Sequence, residues 1–93
     1  MGDKVRAHVI VSGRVQGVFF RAETRRATQD NDVFGWVRNT DDGKVEAVFE
    51  GDEADVKAMT EWCREGSSHS KVKDVDVEWE TYSGDFSGFE ITY

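Results

Sequence analysis

The tetrapeptide Thr40-Asp41-Asp42-Gly43 lies between two β-rich runs, Val33–Asn39 and Lys44–Glu50. An Asp-Gly pair in that setting is among the strongest local signals for a β-hairpin. It ties two strands together, antiparallel and adjacent, in the middle of the chain, and every other segment must be arranged about them. Along the second run Val45, Ala47 and Phe49 share one face while Lys44, Glu46 and Glu50 fall broadly on the other. One side of the hairpin therefore faces a core and the other faces water.

The flanks supply that core. Ala7–Ser12 (A-H-V-I-V-S) is short, β-branched and apolar, and reads as a strand buried on both faces or nearly so. Phe20, Thr24, Ala27 and Asn31 recur at helical spacing, placing a helix over about Ala22–Asp30, with the turn residues Asp30-Asn31-Asp32 ending it. After the hairpin, Asp52 is a good N-cap with Asp55 three residues on. Val56, Met59, Thr60 and Cys63 then fall on one helical face with Trp62 at its edge, and Gly66 stops the helix. Gly66–Lys71 is loop, Val75–Glu80 alternates strictly, and Ser83-Gly84-Asp85 turns into a short strand carrying Phe89, Ile91 and Tyr93. The order is β-α-β-β-α-β with one extra strand. This predicts an α+β, ferredoxin-like sandwich: an antiparallel sheet with two helices on one face, one domain over residues 1–93.

Charge narrows the partners. Nineteen acidic residues against twelve basic ones give a net charge of −7 and a pI near 4.7. Such an excess repels nucleic acid and anionic membrane, since affinity for both rests on Lys and Arg neutralising phosphates. Carboxylates spread along the whole chain with few lysines fit adaptation to high salt, where hydrated acids keep a protein in solution. No apolar run approaches the ~20 residues needed to cross a bilayer, and no leader is evident, so a soluble protein is expected, and separately a monomer. Cys63 is the only cysteine, which excludes an intramolecular disulfide and makes a reducing, cytoplasmic setting the expectation. One cysteine and two separated histidines, His8 and His69, offer no metal-ligand spacing, so neither metal nor cofactor is expected.

Two parts of the chain can carry chemistry. In Val11–Arg21 (V-S-G-R-V-Q-G-V-F-F-R), a strand passes through two glycines to an arginine where a helix begins. Loop amides can converge there on an anion, the helix N-terminus adds partial positive charge, and an arginine grips in two-pronged fashion. A sharp β-to-α turn bearing a solvated arginine is the plainer alternative. The second part is Asn39, at the end of a strand beside the hairpin. A carboxamide can hold a water by accepting one hydrogen bond and donating another, although an Asn before a turn is also ordinary turn chemistry. Arg14 and Arg38 add positive field near the loop, while Trp36 fits either core or pocket edge.

Together these parts resemble the acylphosphatase family. Gly13–Arg21 (G-R-V-Q-G-V-F-F-R) is similar to its first signature, and Gly35–Gly51 (G-W-V-R-N-T-D-D-G-K-V-E-A-V-F-E-G) to its second, with Asn39, Gly43, Val45 and Gly51 in register. The resemblance implies hydrolysis of a small-molecule acyl phosphate to carboxylate and inorganic phosphate without a metal. It implies a phosphate cradle from Arg14, Val15, Gln16, Gly17, Val18, Phe19 and Phe20, with Arg21 as the catalytic, phosphate-binding arginine. Asn39 would position the attacking water, and Thr24 would support it from beside. Asp30-Asn31-Asp32 stands where relatives usually carry Leu and Gly, and Gly66-Ser67-Ser68 replaces a Gly-Pro turn. A non-catalytic, ferredoxin-like regulatory domain that binds a small anion is the alternative. Similar domains also open larger carbamoyl-transferring proteins, and a chain ending at Tyr93 with one cysteine favours the free-standing enzyme.

Overall fold

The computed structural model describes residues 3–92. The elements run β1 (Lys4–Arg14), α1 (Phe20–Asp30), β2 (Phe34–Asn39), β3 (Val45–Asp52), α2 (Glu53–Glu65), β4 (Lys71–Glu80) and β5 (Phe89–Ile91). They form one five-stranded sheet in the order β4-β1-β3-β2-β5. The first four strands pair antiparallel throughout, as expected, with β2 and β3 joined by the hairpin at residues 40–44. β5 departs from the expected antiparallel sheet by lying parallel to β2, which makes the sheet mixed. β4 and β2 run in opposite directions, and after the crossover of residues 81–88 β5 runs back opposite to β4, hence parallel to β2. Tyr93, assigned to this strand from its alternation, lies outside the described residues.

Both helices cover one face. Across it the register aligns Val77, Val9, Ala47, Val37 and Ile91 in one row, with Ala7, Phe49 and Phe89 in the next. Phe20 from α1 and Val56, Met59 and Cys63 from α2 close the core over these rows. Burial pushes the Cys63 thiol up to about 12, so it is an inert core group. Phe20 meets Trp62 at 5.4 Å, joining α1 to α2, and Phe49 stacks on Phe89 at 5.7 Å, joining β3 to β5. β1 is buried on this face only. Its other side, His8 and Ile10, is half-exposed, because no layer covers the second face of the sheet there.

α1 is a helix despite its thin apolar face. The positions turned to the core include Thr24 and Thr28, whose hydroxyls donate within the helix to the carbonyls of Phe20 (2.8 Å) and Arg25 (2.6 Å). Once satisfied, these methyl-bearing side chains pack like small hydrophobes. The polar turn that follows is equally well anchored. Asn31 donates its side-chain amide to the Ala27 carbonyl at 2.9 Å, and Asp32 takes the left-handed conformation, φ +52°, that a glycine would adopt more cheaply. The Asp52 side chain does not cap α2. It pairs instead with Lys4 at 2.8 Å, and the Asp3 carbonyl accepts the Glu53 amide at 2.9 Å.

The uncovered face is polar and cross-linked. Glu46 lies 2.6 Å from both His8 and Arg38. Burial works to raise the Glu46 pKa, but hydrogen bonds from His8 and Arg38 outweigh it and hold the carboxyl below the usual range. Glu50, expected on the watery side of β3, is on that side but only 1% exposed. The 81–88 crossover runs over it. Glu50 accepts from the Ser83 amide (2.8 Å), the Ser83 hydroxyl (2.8 Å), the Gly84 amide (3.1 Å) and the Arg6 guanidinium (3.2 Å). Trp36 also sits on this face, opposite Val48, and so takes no part in the helix-side core.

Candidate active site

β1 leads into the site through an irregularity. Its register with β4 shifts between Ser12 and Gly13. Gly13 has φ +122°, and a Cβ there would sit 2.2 Å from the Lys71 carbonyl, so only glycine allows the two strands to pass at this point. The shift re-aims the chain into the loop of residues 15–19, which meets α1 at Phe20.

Two residues of that loop have left-handed backbone, Gly17 at φ +72° and Phe19 at φ +61°. For glycine the conformation is free, whereas for phenylalanine it costs about 1–2 kcal/mol. Phe19 occupies the N-cap position of α1, and no side chain among the described residues caps the helix there. The amides of Gln16, Gly17, Val18 and Phe19 make no hydrogen bond to the described residues. The result is a concave run of backbone donors continuous with an uncapped, positive helix end, an arrangement suited to an anion.

Distant parts hold the loop in place. The Gln16 side-chain amide donates to the carbonyls of Thr40 (2.9 Å) and Lys44 (2.8 Å), fastening the loop to the β2–β3 hairpin. The hairpin is itself braced by Thr40, whose hydroxyl donates to Asp42 and accepts from the Lys44 amide at 3.0 Å. On the other side, buried Ser67 reaches the Val18 carbonyl at 3.4 Å, a long bond. Val15, Val18 and Phe20 point their side chains into the core, leaving their backbone to shape the loop.

These elements enclose a cavity of about 290 Å³ lined by Val15, Gly17, Phe19, Phe20, Arg21, Ala22, Asn39 and Ile91. The structure thus brings together the arginine that begins α1 and the asparagine that ends β2, eighteen positions apart in sequence. Asn39 supplies the distinctive feature. Its Oδ1 is buried and has no hydrogen-bond partner among the described residues. Buried acceptors are almost always paired, so an orphan on a residue that lines a cavity sets Asn39 apart from the rest of the lining. Among the described residues lining the cavity, Arg21 alone is charged.

Not every sequence-derived candidate reaches the cavity. Arg14 is exposed at the end of β1 opposite Lys71, and Arg38 is engaged by Glu46 on the far face of the sheet, which offsets its field. Thr24 is fully buried with its hydroxyl on the Phe20 carbonyl, one residue before Arg21. His69 is an exposed loop residue, and no group of three or more His, Cys, Asp or Glu among the described residues is arranged to hold a metal. Three contributions escaped sequence reasoning. Ala22 and Ile91 complete the cavity wall, and the Gln16 side chain couples the two halves of the site. Ile91 shares a row with Val37, so its face was deducible once β5 was known to pair with β2. Nothing near Gln16 signals partners 24 and 28 residues away.

Comparison with known proteins gives a consistent set of likenesses. The acylphosphatase family model matches residues 7–91. An acylphosphatase of Haloarcula marismortui is 61% identical over 88 residues, covering 95% of this chain and 96% of the relative. One from Natronomonas pharaonis is 53% identical over 91 residues, 98% of each chain. The crystal structure of acylphosphatase from Bacillus subtilis superposes with a TM-score of 0.91 at 37% identity, covering 96% of this chain and 99% of that one.

Proposed function

The chain belongs to the acylphosphatase family and hydrolyses acyl phosphates, and from that premise we propose which of its residues do the work. The phosphoryl group is held by the backbone amides of the 15–20 loop, with the Arg21 guanidinium gripping its oxygens. Asn39 accepts a hydrogen bond from the attacking water through Oδ1 and directs a lone pair of that water at phosphorus. The water forms the new P–O bond as the bond from phosphorus to the acyl oxygen breaks. That oxygen's electron pair leaves with the carboxylate, and the water's proton passes to the phosphate.

The observation that carries this reading is that Asn39, whose buried Oδ1 has no partner among the described residues, lines the same cavity as Arg21. The roles also fit the chemistry. Neither Arg21 nor Asn39 serves as a general base, so the site suits a substrate with a good leaving group. A carboxylate is such a group, and phosphoryl transfer through a loose transition state needs mainly positioning and charge stabilisation. Thr24 contributes by fixing the Phe20 carbonyl and hence the start of α1. Metal independence belongs to the same proposal, as does the monomer: the exposed edge β4 carries Lys71, Lys73, Asp74, Asp76, Glu78 and Glu80, which discourage edge-to-edge pairing.

Phosphate release from benzoyl phosphate, with EDTA present and p-nitrophenyl phosphate alongside, tests the reading. Wild type should hydrolyse the first and barely touch the second, and Arg21→Ala should lose about 10²–10³-fold or more in kcat/KM. Retention of most activity by Arg21→Ala would remove the arginine from the mechanism.

Salt adaptation is a second proposal, carried by the net charge of −7 and by halophilic relatives. Carboxylates crowd parts of the surface, for example Asp74, Asp76 and Glu78 along β4. Salt should therefore raise the unfolding midpoint by screening their repulsion. A midpoint independent of KCl from millimolar to molar would count against it.

A further inference from the structure

Phe19 and Phe20 are neighbours with opposite fates. Phe20 is 2% exposed in the core, while Phe19 lines the cavity yet remains 74% exposed, the most open large apolar side chain among the described residues. Phe34, Trp79 and Tyr82 are also exposed, but none of them lines this cavity. The ring gains little for the fold from its position, and its backbone is held in a left-handed conformation that disfavours a side chain. A phenylalanine kept under these conditions at the rim of a site implies a contact made only when the site is filled.

The cavity lining divides by chemistry. Arg21, the Asn39 carboxamide and the Gly17 backbone suit a phosphoryl group, whereas Phe19, Ala22 and Ile91 offer nothing polar from their side chains. A phosphoryl group anchored by the first set leaves its acyl substituent, one oxygen away, to lie along the second. We infer that Phe19 determines acyl specificity: its ring is the platform on which the acyl group packs, so the chain favours acyl phosphates whose acyl part is apolar, and planar aromatic ones most of all. This inference rests on the phosphoryl group occupying the site as proposed above. Ring-on-ring contact at an exposed position supplies roughly a two- to tenfold preference.

The test is a pair of substrates, benzoyl phosphate and acetyl phosphate, with kcat and KM measured separately for wild type, Phe19→Ala and Phe19→Tyr. Comparing the benzoyl-to-acetyl ratio of kcat/KM between enzymes cancels the intrinsic reactivity of the two anhydrides. Alanine keeps the Cβ and thus the same backbone demand, and the lost ring is mostly in solvent, so the variant should fold. Phe19→Ala should lower the ratio roughly two- to tenfold through a higher KM for benzoyl phosphate, and Phe19→Tyr should restore it. An unchanged ratio, or equal losses on both substrates, would overturn the inference and leave Phe19 a loop residue. Arg21→Ala, assayed beside them, separates the two failures. If it keeps wild-type activity, the placement of the phosphoryl group falls first; if it is inactive while the ratio stays fixed, only the role of Phe19 falls.

Discussion

Asn39 and Glu50 stand at opposite ends of the same β-hairpin: Glu50 is buried under the 81–88 crossover, while Asn39 is half-buried beside the cavity with only its Oδ1 enclosed. Glu50 is surrounded by donors: two amides and a hydroxyl from the crossover, and the Arg6 guanidinium. The Asn39 oxygen has none among the described residues. An unmade hydrogen bond on a buried acceptor costs about 1–3 kcal/mol, so the fold carries at Asn39 a cost that it avoids at Glu50. On the reading proposed above, satisfied burial marks the end that holds the sheet together, and unsatisfied burial marks the end that works.

The contrast can be broken most forcefully at Asn39. Asn39→Ala should lower kcat about 10²–10³-fold with KM changed little and the unfolding midpoint unchanged or slightly raised, since the orphan acceptor disappears. Steady-state kinetics and a thermal melt check both halves. A loss confined to KM would make Asn39 a binding group and not a water-holder.

Glu50 should behave in the opposite way. Glu50→Gln keeps the shape but not the charge, and should cost about 1–2 kcal/mol of stability while kcat per folded molecule stays near wild type, as a denaturant titration would show. Its pH dependence has a definite sign. Burial alone would raise the Glu50 pKa, yet hydrogen bonds from Ser83, Arg6 and Gly84 hold it below the ordinary 4.5. A carboxyl lowered in the folded state stabilises fully above its unfolded value and loses that contribution as pH falls through the folded one. Wild type should therefore lose stability below about pH 4.5, and the loss should be shallower in Glu50→Gln. Parallel curves for the two proteins would deny Glu50 this role.

The smallest effect belongs to the tether between the halves of the site. Gln16→Ala should cost about 1 kcal/mol, because the Thr40 and Lys44 carbonyls keep other donors, and it should raise KM more than it lowers kcat as the loop loosens. A melt and a KM measurement on benzoyl phosphate decide it.

Much of this was legible in the chain. The Asp42-Gly43 turn and the alternation in Lys44–Glu50 placed the hairpin, and period 3.6 in Val56–Cys63 placed α2, because both signals are local. Burial could not be read with the same certainty. β1 looked buried on both faces, since a run of β-branched residues does not reveal whether a second layer exists. Glu50 looked solvated, since the segment that covers it lies some thirty residues further on. Asp52 looked like a cap, but Lys4 at 2.8 Å captures its carboxylate.

The residue types that can grip a phosphate and hold a water, and the order of elements that carries them, follow from the sequence alone, because turns, caps and periodicity act over a few residues. Tertiary structure decided the rest. It set β5 parallel to β2, brought Arg21 and Asn39 into one cavity, left Asn39 Oδ1 without a partner among the described residues and turned Phe19 outward. Those facts depend on which distant groups meet and which do not, and that is settled only when a β-bulge, a crossover and a glutamine tether fix the loop against the sheet.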